Sequence, residues 1–180
     1  MRREPATRNA MTARYFRSMH RSLFLLLVVL SACGNGGNAD DLCTKTFRPY
    51  MDLVSNRLRS NENGAFIDAM VLYAEQDYAG AASGLETCLK RRDADKLARL
   101  YLACSYLALD RPFDAELQLD HLEHSSLKEA FRDQCEWYTV VCWLCSDQKD
   151  RALEGAQAIA GAVRHTYRAE AAELVKALAP

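Results

Sequence analysis

Three alanines recur in the same local setting along this chain, and their recurrence limits the folds open to it more than any other feature. Ala81 is followed by Leu85 and Cys88, Ala115 by Leu119 and Leu122, and Ala152 by Ala156 and Ile159. Offsets of four and seven put each trio on one face of a helix. The alanines stand 34 and 37 residues apart, the spacing of a supersecondary unit that must stack on its neighbours to bury an apolar face. A small side chain at such a position lets paired helices approach closely.

The breaks between the apolar segments repeat in order. Asn61-Glu62-Asn63-Gly64 is a turn before a helix from about Ala65 to Glu75, and Asp77 is placed to cap the next, running to about Lys90. Arg91-Arg92-Asp93 is a polar break, followed by a helix to about Leu109. Pro112 suits a first helical turn, where its missing N–H is not needed. Ser126-Leu127-Lys128-Glu129 reads as a capping box that opens a long helix ending near Cys145. Asp147 caps a further helix, and Thr166 caps a last one ending near Ala179. An additional helix precedes the rest, after Pro49, over about Phe47 to Arg59. Four prolines and eight glycines in 180 residues, with no period-two alternation, favour helices over strands.

From about Ala65 to Ile159 these residues resemble the tetratricopeptide repeat. Leu102-Ala103-Tyr106 matches its Leu-Gly-Tyr positions with Ala for Gly. Asp68-Ala69-Leu72 and Thr139-Val140-Trp143 depart from them, as does the lack of the repeat's tryptophan and closing proline. The opening "FRPYMDLVSNRLRSN" and the ending "HTYRAEAAELVKAL" are similar to those of small envelope tetratricopeptide proteins, which begin F-x-P-Y and close on a Y-[RK]-x-x-A-x-x-L helix. The resemblance implies an all-α fold, a right-handed superhelix of about three helix hairpins with a leading helix and a C-terminal capping helix. The last helix would cover the apolar face that the final repeat leaves open.

The N-terminal segment points elsewhere. Leu23 to Leu30 is an apolar run of eight residues, whereas a helix needs about 20 to cross a bilayer. Arg2, Arg3, Arg8, Arg14, Arg17 and Arg21 precede it, as in a secretory signal; Met11 and Met19 are alternative starts to Met1, Met19 giving the tidier signal. Leu30-Ser31-Ala32-Cys33 resembles the lipobox of bacterial lipoproteins. The match implies cleavage before Cys33 and acylation of Cys33 on sulfur and amine, which anchors a protein stably without a membrane span. It also implies location in the bacterial cell envelope, on the periplasmic or surface face of the outer membrane. Residues 1–32 are then the signal, 33–42 a Gly/Asn/Asp-rich flexible tether, and 43–180 the repeat domain. Asp40-Asp41 stands where some lipoproteins carry a surface-sorting signal.

The first 32 residues hold six of the 23 basic and one of the 24 acidic residues, which leaves 17 basic against 23 acidic, a net charge near −6. That balance argues against nucleic acid as a partner. Six cysteines besides Cys33 allow fifteen disulfide pairings. Cys142-Trp143-Leu144-Cys145 has the spacing of a redox dithiol, yet it closes a helix, where the dipole opposes a thiolate. A structural disulfide to Cys135 or Cys104, and buried thiols, are the competing accounts. His121 and His124 sit three apart without zinc-finger spacing, and they read, with His165, as solvated. No phosphate loop, paired carboxylates or Ser/His/Asp set is present, so an enzyme, a cofactor and a metal are not expected. No small-molecule substrate is evident.

What remains is surface. In the tetratricopeptide family, positions 5, 9 and 12 of each first helix line the concave groove. By register these are Phe66, Met70 and Tyr73; Leu100, Cys104 and Leu107; and Trp137, Val141 and Leu144. Such a groove takes an amphipathic helix or an extended peptide of another envelope protein. Its alternative is a groove filled by the chain's own leading helix. The resemblance thus implies a membrane-anchored interaction adaptor. The alternative of another class is a thiol redox or metal-handling protein using Cys142 and Cys145.

Overall fold

Polar breaks separate eight α-helices, and no strand, among residues 37–91 and 95–179, which are those described in the computed structural model. They are α1 (Gly37–Thr46), α2 (Gly64–Ala74), α3 (Tyr78–Leu89), α4 (Ala98–Ala108), α5 (Pro112–Glu123), α6 (Arg132–Cys145), α7 (Lys149–Gly161) and α8 (Arg168–Leu178). From α2 onward each helix packs on the next, and α4 also touches α2 and α6. The first helices of the three pairs thus form one row, backed by α3, α5 and α7. The signal segment and Cys33 lie outside the described residues, and no helix among those described is long and apolar enough to cross a membrane.

The same turn joins the two helices of every pair. Gln76, Asp110 and Asp147 adopt positive φ values of 65°, 57° and 59°. The next residue's N–H returns to the carbonyl five residues back: Asp77 to Leu72 (2.9 Å), Arg111 to Tyr106 (2.9 Å) and Gln148 to Trp143 (2.8 Å). This is the Schellman closure, which satisfies carbonyls that the helix end would otherwise leave open and reverses the chain within a few residues. It recurs at the 34- and 37-residue spacing of the alanines.

Packing follows the alanine pattern. Ala81, Ala115 and Ala152 are wholly buried, and Leu85, Leu119, Leu122, Ala156 and Ile159 join them in one continuous core. Three residues after two of the alanines, glycines bring backbones closer still. A Cβ at Gly84 would stand 2.8 Å from the Ala69 Cβ, and one at Gly155 2.6 Å from Val140 Cγ2. Successive pairs are tied by polar edges of aromatic rings: the Tyr106 hydroxyl donates to Glu86 (2.7 Å) and the Trp143 indole N–H to Glu116 (2.8 Å).

Several local expectations are corrected. Asp77 does cap α3, accepting from the Gly80 N–H at 2.9 Å, and Pro112 opens α5. Asp147, however, is the left-handed residue of the turn, and Gln148 precedes α7. The proposed capping box at Ser126 is not used, because Ser125 organises a turn there instead. Its hydroxyl donates to the Leu122 carbonyl (2.6 Å) and accepts from the Leu127 N–H (3.1 Å), so α6 begins only at Arg132. Thr166 gives both its N–H and its hydroxyl to Asp133 (2.7 and 2.6 Å) rather than capping α8. Residues 37–42, read as part of a flexible tether, lie in α1, where Lys45 pairs with Asp41 one turn earlier.

Candidate functional site

The leading helix expected after Pro49 is absent, and an irregular strap stands in its place. Arg48 precedes proline, which disfavours helical backbone at Arg48 and so keeps α1 from continuing. Residues 47–52 carry no regular structure. Asp52 ends this stretch with a tight turn, accepting from the N–H groups of Val54 (2.8 Å) and Ser55 (3.0 Å). Val54 closes the segment as a buried plug, 1 % exposed.

The strap packs over the row of first helices, held by one tyrosine from each, met in the order α6, α2, α4. Tyr138 of α6 donates to the Arg48 carbonyl at 2.8 Å, and Tyr73 of α2 to the Tyr50 carbonyl at 2.9 Å. Tyr101 of α4 accepts from the Leu53 N–H at 3.0 Å and donates to the Met51 carbonyl at 3.2 Å. The strap's own rings face these: Phe47 meets Tyr138 edge-on at 6.4 Å, and Tyr50 lies 5.9 Å from Tyr101. Burial raises the hydroxyls of Tyr73 and Tyr138 far above the ordinary phenol range and Tyr101 to about 12, so all three are neutral donors at physiological pH. Between them sits Cys104, whose thiol burial pushes up to about 11 and which touches the Tyr73 and Tyr138 hydroxyls and the Tyr50 backbone.

A disulfide fixes the start of the strap. Cys43 in α1 is bonded to Cys145, the last residue of α6, with 5.0 Å between their Cα atoms and a sequence separation of 102. The pairing differs from both partners considered for Cys145, Cys135 and Cys104, which are buried free thiols together with Cys88 and Cys142. Burial holds the Cys142 thiol well above its ordinary value. Cys142 and Cys145 therefore do not stand as a poised dithiol pair.

All eight residues assigned to a partner-binding groove are buried. Met70, Leu100, Val141 and Leu144 are wholly enclosed, and Phe66, Tyr73, Leu107 and Trp137 are no more than 6 % exposed. In this structure the strap, not a helix, covers that face. Only Tyr73 of the eight hydrogen-bonds the strap. Trp137 is stacked instead on Tyr167 ahead of α8, at 5.6 Å and 9° between planes. Tyr101 and Tyr138, each one position beyond the register residues Leu100 and Trp137, do the holding that the register had missed. The signal for them was a tyrosine in an otherwise apolar helical face, since a buried phenol needs an acceptor.

The histidines divide. His121 and His124 are exposed, the latter against the Asp120 carbonyl at 2.8 Å. His165 is not the solvated residue expected: only 4 % of its side chain is exposed, with Nε2 3.3 Å from a Glu136 carboxylate oxygen. Its Nδ1 accepts from the Tyr167 N–H at 3.1 Å and so helps to shape the entry to α8. Among the described residues no group of three or more His, Cys, Asp or Glu is placed to hold a metal ion.

Comparison with protein-family models, with curated proteins and with solved structures finds no match.

Proposed function

We propose that this chain is a lipid-anchored envelope lipoprotein whose tetratricopeptide-like domain works as a protein–protein interaction adaptor. The observation that carries the proposal is the strap: three successive first helices each present a tyrosine hydroxyl to the main chain of a non-helical segment. Binding through backbone carbonyls is the chemistry of peptide recognition, because it demands a ligand whose main chain no helix has claimed while tolerating variation in its side chains. The recurrent turn and the buried alanines support a stack of tetratricopeptide-like pairs curving as a right-handed superhelix, with the strap in its concave face and α8 as the capping helix. The lipobox resemblance at Leu30-Ser31-Ala32-Cys33 supports the anchor, and the partner is then another protein of the envelope.

Two measurements test the two halves. Radiolabelled palmitate should enter the wild-type chain and not Cys33→Ser, which should also leave the membrane fraction; equal labelling of both would remove the anchor. Chemical cross-linking in intact envelopes should give a discrete hetero-complex of fixed mass, weakened in Cys33→Ser. A chain that is only ever monomeric there would refute the adaptor.

A further inference from the structure

We propose that the face of α2, α4 and α6 is a binding groove for a non-helical aromatic-x-Pro-aromatic segment of a partner protein. Residues 47–54 occupy it as the chain's own stand-in, and the Cys43–Cys145 disulfide keeps them there until a dithiol opens it. The inference rests on the adaptor reading and adds to it a ligand class and a control.

The ligand class is written in the occupant. Three of the tyrosine contacts go to carbonyls and one to an N–H of the strap, so the groove reads main chain that no helix has claimed. Phe47 and Tyr50 supply the ring contacts. Pro49 between them is favoured because a non-helical residue there needs no donor and costs little entropy to hold. The strap buries one side only: the Met51 and Leu53 side chains are 67 % and 47 % exposed, which leaves an edge from which a competing segment can enter.

The control follows from how the strap is attached. Its C-terminal end runs by the main chain through residues 55–63 into α2, while its N-terminal end is joined to the helical array covalently only through Cys145. With both ends fixed, the strap has no free terminus from which to peel. With the disulfide open it is a ligand tethered at one end, present at an effective concentration of about millimolar, which a partner segment can displace. Neither cysteine is fully buried, in contrast to the four free thiols. The step balances with a dithiol as reductant. Its first thiolate attacks one sulfur of the Cys43–Cys145 bond and expels the other as thiolate, forming a mixed disulfide. Its second thiol then displaces the bound cysteine. Two electrons and two protons pass to Cys43 and Cys145, and the dithiol departs as its own disulfide.

The test uses the full chain and a fluorescent peptide of residues 44–55, TKTFRPYMDLVS. In the variant Phe47→Ala/Tyr50→Ala the internal strap loses its two ring contacts. Reduced with dithiothreitol, this variant should bind the peptide at least about tenfold more tightly than the oxidised wild type does, and a peptide with both aromatics replaced by Ala should not bind. No binding by a reduced variant that keeps its helical circular dichroism would overturn the proposal. So would equal binding with and without reductant. A reduced chain that forms concentration-dependent dimers and ignores the peptide would assign the groove to the strap of a second copy, and would overturn it too. Hydrogen exchange on the wild type decides the matter should the variant unfold. Reduction should speed exchange in residues 47–57 by about tenfold or more while α2 to α7 stay protected; exchange that rises everywhere, or nowhere, refutes the latch. Failure of these tests with the envelope hetero-complex retained removes the latch alone, whereas loss of that complex removes the adaptor itself.

Discussion

Replacing Tyr101 by Phe removes one oxygen from the middle of the molecule and keeps the ring. The ring is wholly buried, with Tyr73, Tyr50 and Phe66 at 5.2, 5.9 and 6.3 Å, so its packing is unaltered. What goes is the pair of hydrogen bonds to Leu53 N–H and Met51 carbonyl. A neutral hydrogen bond contributes about 0.5–1.5 kcal/mol, and two give about 1–3 kcal/mol. The exposed Met51 and Leu53 side chains show that water reaches this edge of the strap, which favours the lower part of the range, about 1–1.5 kcal/mol. That corresponds to a fall of roughly 3–6 °C in Tm for a domain of this size. Urea unfolding of the oxidised chain should show a lower midpoint with an unchanged slope. Because burial raises the Tyr101 hydroxyl from its ordinary 10.0 to about 12, the wild type's advantage should hold at neutral pH. It should be lost only as pH climbs from about 10 towards 12, where the unfolded chain ionises first. An unchanged midpoint, together with unchanged exchange at the Leu53 amide, would refute the strap as a hydrogen-bonded element.

Two further substitutions probe the repeat. Gln76 holds a left-handed backbone that costs a side chain about 1 kcal/mol, so Gln76→Gly should raise stability by about that amount in a urea titration; a loss would show that the turn is not the Schellman closure described. Ala115 is wholly buried, and Ala115→Leu should destabilise by about 1–3 kcal/mol through overpacking, visible as a lowered Tm. A midpoint equal to wild type would place that helix face elsewhere.

The helical array was legible because sterics write it into the sequence. Ala81, Ala115 and Ala152 must be small where helices meet, and the period they set is the period of the turns. Local end signals were less dependable, since several side chains fit more than one role. Asp147 has the chemistry of an N-cap and of a left-handed residue, and tertiary placement chose the second. Thr166 has the hydroxyl of a cap and spends it on Asp133, 33 residues away. The strap was only half written in Arg48-Pro49: the proline disfavours helix at Arg48, but after it, as at Pro112, a helix could have opened. Its contacts were not legible, because Tyr101 and Tyr138 lie beside the register positions and their acceptors are 50 and 90 residues distant. Nor was the disulfide, with fifteen pairings open and the true partner 102 residues off.

Peptide mapping of the oxidised chain by mass spectrometry, without reduction and with thiols blocked before digestion, tests the central arrangement most directly. One linked pair is expected, Cys43 with Cys145, while Cys88, Cys104, Cys135 and Cys142 should take up alkylating reagent only after unfolding. A Cys142–Cys145 disulfide, or a Cys43 thiol that reacts in the folded chain, would contradict it: the strap would then be unclasped, and the C-x-x-C pair would return as the seat of the chemistry.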